Sequence, residues 1–138
     1  MKMANYNSFL VTQKTFRVTD VAAFRKAIEL LHTNIEIHED GVRLGKLGGT
    51  IWIGGYDADL HAWDQDNNEV DIAELIQEHI DPSDYAVIQS VGYEKLRYVD
   101  GVVYVISKEK IFFENLDTVT ERLVEQVKRD LILTEVKE

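Results

Sequence analysis

The 138-residue chain contains no cysteine. That absence excludes a disulfide scaffold, a thiolate nucleophile and any cysteine-ligated zinc or iron–sulfur centre. It fits a reducing compartment, and the expected location is the cytoplasm. Proline occurs once, at Pro82, and no low-complexity tract or linker interrupts the chain. Long apolar runs are also missing. The longest patches, such as Val102–Ile106, have strand length and fall far short of the ~20 residues that cross a bilayer. The start, Met1 to Asn7, lacks the apolar run of a secretory signal. Hydrophobic residues make up 45% and charged residues 29%, a balance that excludes a wholly disordered chain. One domain spanning residues 1–138 is therefore expected, with about two thirds of its unfolded surface buried.

The most informative absence is local. Residues 47–94 contain no lysine and no arginine but eleven acids, a balance of −11. Residues 1–46 balance at +2 and residues 95–138 at −1, so this middle third carries the whole net charge of −10. Such a region projects negative potential and repels phosphate backbones, which argues against direct nucleic-acid binding. It attracts metal cations or a basic protein surface, or it serves as a solvated face.

Hydropathy periods outline the elements. Ser8 to Val18 reads as extended chain. Asp20 precedes an amphipathic helix over Ala22–Leu31, with Phe24, Ala27, Ile28 and Leu31 on one face. Strands are expected at Ile35–His38, at Val42–Leu44 after an Asp40-Gly41 turn, and at Thr50–Ile53 between Gly48-Gly49 and Gly54-Gly55. Leu60–Trp63 forms a short strand, and Asp64–Glu69 forms a polar loop. A second helix spans Asp71–Ile80, with Pro82 just past its end. Tyr85–Gln89 is a strand. Lys95–Val99 and Val102–Ile106 pair as a hairpin around Asp100-Gly101. Ile111–Phe113 adds a strand. Asp117 caps a last helix with Val119, Leu123, Val127 and Leu131 every four residues. Strands grouped in hairpin runs between helices imply an α+β fold: a mainly antiparallel sheet with about three amphipathic helices packed on it.

Few residues carry an obvious chemistry. In an extended segment, Asp57, Asp59 and His61 share one face, a set suited to a divalent metal that activates water. A lone histidine near two aspartates is more often an ion-paired surface group. Asp64-Gln65-Asp66-Asn67-Asn68 opens like a calcium loop, but Glu69 and Leu75 stand where an EF-hand needs Gly and Glu. The glycines around Gly45–Gly49 precede a strand rather than a helix, so no phosphate cradle forms. No serine sits in a nucleophile elbow. His32, His38 and His79 fall on separate elements. Tyr93, Lys95 and Arg97 alternate onto one strand face, where Tyr and Arg often anchor interfaces; they equally serve to cover a sheet edge. No catalytic residue and no cofactor is assigned.

Two stretches, Phe16-Arg17-Val18-Thr19-Asp20 and Gly92-Tyr93-Glu94-Lys95-Leu96-Arg97-Tyr98-Val99-Asp100-Gly101, resemble a family of small accessory proteins carried by bacterial phages and conjugative elements. The resemblance implies a mobile-element setting, in which small acidic proteins blunt host defences by occupying nucleic-acid-binding surfaces. The expectation is thus a non-enzymatic anti-restriction or anti-CRISPR inhibitor that docks on a basic effector surface. Its contact residues would be Asp57, Asp59, Asp64, Asp66, Glu69, Asp71, Glu74 and Glu78, with Tyr93, Lys95 and Arg97 secondary. Two alternatives stay open: a metal-dependent hydrolase using Asp57, Asp59 and His61, and a binder of a small ligand or nucleotide signal.

Overall fold

A computed structural model describes residues 6–39, 49–94 and 98–137. The elements run β1 (Tyr6–Lys14), β2 (Phe16–Val18), α1 (Val21–Glu29), β3 (Glu36–Glu39), β4 (Gly49–Tyr56), β5 (His61–Trp63), β6 (Glu69–Asp71), α2 (Ile72–His79), β7 (Tyr85–Glu94), β8 (Tyr98–Ser107), β9 (Ile111–Asn115) and α3 (Leu116–Lys137). Seven strands form one sheet in the order β2–β4–β1–β7–β8–β9, with β3 also on β4, while β5 and β6 make a separate hairpin. Every pairing within the described residues is antiparallel. The fold is α+β, as the grouping of strands implies.

Strand alternation sorts side chains between two faces. Leu10, Ile51, Ile53, Ala86, Ile88 and Ile106 are buried on the inner face. Val11, Trp52, Tyr56, Tyr93 and Val105 alternate with them onto an outer face and are exposed. Helices α1 and α2 close the inner face with Phe24, Ile28, Ile72, Ala73 and Ile76, all buried. Each of the phenylalanine and isoleucine side chains contributes about 1.5–3 kcal/mol through its removal from water. Phe24 sits edge-on to Phe16 at 6.5 Å and to His79 at 5.5 Å, which ties α1, β2 and the end of α2 together. Both helices begin where aspartate satisfies a free backbone donor. The Asp20 carboxylate accepts from Ala23 N at 3.1 Å, and that of Asp71 from Ala73 N at 2.9 Å.

Four expectations need correction. First, β4 does not stop at Gly54-Gly55 but runs on to Tyr56. A Cβ on Gly55 would lie 2.5 Å from the Asn34 carbonyl oxygen, so this glycine serves a close backbone approach and not a turn. Second, Asp100-Gly101 is not a hairpin turn. β7 and β8 stay in register from Tyr85↔Ser107 to Glu94↔Tyr98, which puts Asp100 and Gly101 inside β8 opposite Gly92 and Val91. Gly101 leaves room for α3, since a Cβ there would meet Leu116 at 3.1 Å. Third, the last helix is capped by Asn115, whose side-chain oxygen accepts from Thr118 N at 2.7 Å, and Asp117 falls in its first turn. Fourth, the stripe of that helix is not buried. Leu123, Val127 and Leu131 are 53%, 57% and 59% exposed, and α3 meets the sheet mainly at β8 and β9. The strand expected at Val42–Leu44, its Asp40-Gly41 turn and Gly48 lie outside the described residues.

Candidate functional site

Ten of the eleven acids of the middle segment, all but Glu94, divide into two groups. Asp81 and Asp84 are engaged by bases from the first strands. The Lys14 ammonium lies 2.8 Å from Asp84, and the Arg17 guanidinium 4.0 Å from Asp81. The carboxylate of Asp84 also accepts from the backbone N–H groups of Arg17 and Tyr85, each at 2.8 Å. Burial pushes this carboxyl up, but the Lys14 pair and the two N–H donors outweigh it and hold it below the usual carboxylate range. Hydrogen bonds from the N–H and hydroxyl of Ser83 lower Asp81. These two residues bind the chain after α2 to β1 and β2.

The second group runs from Asp57 to Glu78 and has no Lys or Arg ion-pair partner among the described residues. Asp57, Asp59, Asp66, Glu69, Asp71, Glu74 and Glu78 are exposed and Asp64 is half-buried. The β5–β6 hairpin places His61, Trp63, Glu69 and Asp71 on its outward side, because its register pairs His61 with Asp71 and Trp63 with Glu69. Ala62 and Val70 turn inward. Glu69 and Asp71, two residues apart on one strand face, stand roughly 7 Å apart. Asp71, Glu74 and Glu78 follow at i, i+3 and i+7 and share the solvent side of α2, with Cβ atoms about 5–6 Å apart at each step. Carboxylates therefore form a continuous row from hairpin to helix. Several carboxylates of this group also have local duties. Asp64 accepts from the N–H groups of Asp66 and Asn68 at 2.8 and 2.9 Å, and the Asn68 bond leads in lowering its pKa. Asp71 caps α2. Glu69 lies 3.3 Å from the His61 ring.

Asp57, Asp59 and His61 do not form the extended set expected of them. Asp57 lies at φ 53 in a left-handed turn, which breaks the period of two. The Asp59 carboxylate turns to the backbone of His61, accepting from its N–H at 2.8 Å. No group of three His, Asp or Glu residues placed to hold a metal ion occurs among the described residues. The three do line one polar cleft of about 590 Å³, together with Ser8, His32, Asn34 and Trp63. The cleft exists because the end of α1 docks on the hairpin. His32 N donates to Trp63 O at 2.8 Å, and Gln65 Nε2 donates to Leu30 O at 3.1 Å. That His32 and His61 line the same cleft was invisible in sequence, since the two are twenty-nine positions apart on different elements.

Nearby, Tyr104 is half-buried. Burial raises its pKa above the usual tyrosine value, and the carboxylates of Asp71, Asp59 and Asp100 add to the rise. Tyr93 lies on the outer face of β7, exposed, while Lys95 and Arg97 fall outside the described residues. On the outer face, His38 stacks on Trp52 with ring centroids 4.1 Å apart. The two border an apolar groove of about 600 Å³ shared with Phe9, Val11 and Tyr56. No helix among the described residues is long and apolar enough to cross a membrane. Compared with protein-family models, curated proteins and solved structures, the chain matches none of them.

Proposed function

We propose that this chain is a non-enzymatic interaction protein that presents the carboxylate row of β6 and α2 to a basic surface, and that the surface belongs to the nucleic-acid-binding site of a host defence effector. One observation carries the reading. Within one segment the protein neutralises Asp81 and Asp84 with its own bases and leaves the acids from Asp57 to Glu78, exposed except for the half-buried Asp64, without a Lys or Arg partner among the described residues. Unneutralised like charges at steps of roughly 5–7 Å cost folding energy through repulsion. They steer toward a cationic partner and compete with phosphates for it. The mobile-element setting implied by the Phe16–Asp20 and Gly92–Gly101 stretches supplies the kind of partner.

The alternatives have less behind them. A metal-dependent hydrolase needs a ligand set that Asp57, Asp59 and His61 do not make. A nucleotide-signal binder needs cationic groups, and the cleft instead carries Asp57 and Asp59, which repel phosphate. That cleft suits a neutral or cationic polar ligand held beside Trp63.

The test is displacement of labelled duplex or guide RNA from a purified restriction or CRISPR effector, followed by fluorescence anisotropy at low and high salt. Competitive displacement is expected, weakening as the Debye length shrinks from ~10 Å at 0.1 M toward ~3 Å at 1 M. Charge reversal of Asp66, Glu69, Glu74 and Glu78 to lysine should abolish it. Displacement that survives this reversal, or none by the unaltered protein across such effectors, overturns the reading.

A further inference from the structure

The last helix is the longest of the three described helices. α3 is twenty-two residues long, about 33 Å at 1.5 Å per residue. Residues 120–132 are exposed without exception. Yet the helix is amphipathic. Val119, Leu123, Val127 and Leu131 recur every four residues, and Leu116 and Val124 extend the stripe to more than a third of the circumference. Leu116 is anchored over Gly101 on the outer sheet face, and Arg122 pairs with Glu114 of β9. Beyond this root nothing in the described chain covers the apolar side. Most helical stability in proteins comes from packing an amphipathic face against a partner surface.

The polar positions say what covers it. Up to residue 125 the helix carries Asp117, Glu121 and Glu125 against one base, Arg122. From 126 to 132 it carries Lys128 and Arg129 against one acid, Asp130. The order is self-complementary when reversed. An antiparallel copy brings Glu121 beside Lys128 on the same flank of the stripe, twice over, whereas a parallel copy sets acids against acids. The i,i+3 contact between Glu125 and Lys128, at 3.9 Å, is too loose and exposed to use up the lysine.

We infer that the protein self-associates through α3, as an antiparallel helix pair about a twofold axis near Val124. The contact is isologous, so one surface supplies both sides. A standard interface covers about 800 Å² per partner, roughly 60% of it apolar, and so needs on the order of 500 Å² of apolar surface. Leu123, Val124, Val127 and Leu131, each 44–59% exposed, together with Leu116 and the 61% exposed Phe112 at the root of the helix, offer an area of that order. The inference is independent of the acidic-row reading, because α3 lies outside that row.

The experiment is sedimentation equilibrium on the full chain. Standard-sized interfaces hold at micromolar concentration or better, so at on the order of 100 µM the protein should sediment mainly as a dimer, at twice 15.9 kDa. Leu123→Glu with Val127→Glu should give a monomer with unchanged circular dichroism of the sheet, weakening association by at least about 100-fold. Glu121→Lys and Lys128→Glu should each weaken the dimer and together restore it, which residues seven apart on one helix cannot do within a chain. The absence of native cysteine makes Val124→Cys a clean probe. It should cross-link rapidly under mild oxidation, while Thr118→Cys, far from the axis, should not. A monomeric unaltered protein at that concentration overturns the inference. So does a dimer that survives the double glutamate substitution, or one cross-linked equally at 118 and 124.

Discussion

Replacing Asp84 with asparagine probes the joint that locks the end of α2 to the first strands. The carboxylate receives three donors. Lys14 Nζ and Tyr85 N reach one oxygen, and Arg17 N reaches the other, all at 2.8 Å. An asparagine in the same rotamer keeps one acceptor and turns an NH₂ toward a backbone N–H. It therefore loses the charge and one hydrogen bond and gains a donor–donor clash. A hydrogen bond to a charged group contributes about 1.5–3 kcal/mol. The Lys14 pair itself is worth less, about 0.2–1 kcal/mol, because both side chains retain solvent contact. The net cost of Asp84→Asn should be about 2 kcal/mol, a fall in Tm of roughly 6–8 °C for a domain of this size. The pH dependence isolates the cause. The folded-state pKa of Asp84 is depressed, so its contribution is complete above the unfolded value of ~3.9 and disappears as pH falls through the lower folded value. Urea unfolding followed by circular dichroism should show the full gap between parent and variant near neutrality and a shrinking gap below about pH 4. A gap under about 0.5 kcal/mol at pH 7, or one of equal size at pH 2.5, would refute the argument.

Three further outcomes are expected. Gly55→Ala should cost more than Gly101→Ala, by about 1–3 kcal/mol in denaturant unfolding, because the first sets a Cβ 2.5 Å from the backbone of Asn34 and the second meets only the movable side chain of Leu116. Asp71→Ala removes the cap of α2 and should cost about 1 kcal/mol, with Asp71→Asn costing much less; equal losses would assign the effect to charge alone. Spectrophotometric titration of the protein, minus that of Tyr104→Phe, should reveal one tyrosine ionising above ~10, with stability declining as pH rises through that range. Ionisation of Tyr104 at or below the free value would mean that neither its burial nor the carboxylates of Asp71 and Asp59 act on it.

Local patterns told the helices and most strands apart for a simple reason. The 3.6-residue stripe of Phe24 and Ile28, or of Ile72 and Ile76, and the caps Asp20 and Asp71, act over one or two turns and need no distant partner. Glycine misled twice. At Gly55 and Gly101 it reads as a turn residue, and in the fold it answers a backbone or a side chain more than ten residues away. The acidic excess was legible as a count, but not its partition. Only the return of the chain beside β1 and β2 neutralises Asp81 and Asp84 and leaves the row ahead of them open.

Sequence by itself determined the α+β class, the concentration of charge in the middle third and the exclusion of cysteine chemistry, since composition and short-range periodicity are properties of the chain. Tertiary structure decided the rest. It brought His32 and His61 to the lining of one cleft and broke the extended alternation expected of Asp57, Asp59 and His61. It lined up Glu69, Asp71, Glu74 and Glu78, and left the stripe of α3 without a cover. Each of these depends on which distant segments pack together, and burial and pairing over long separations have no local signature.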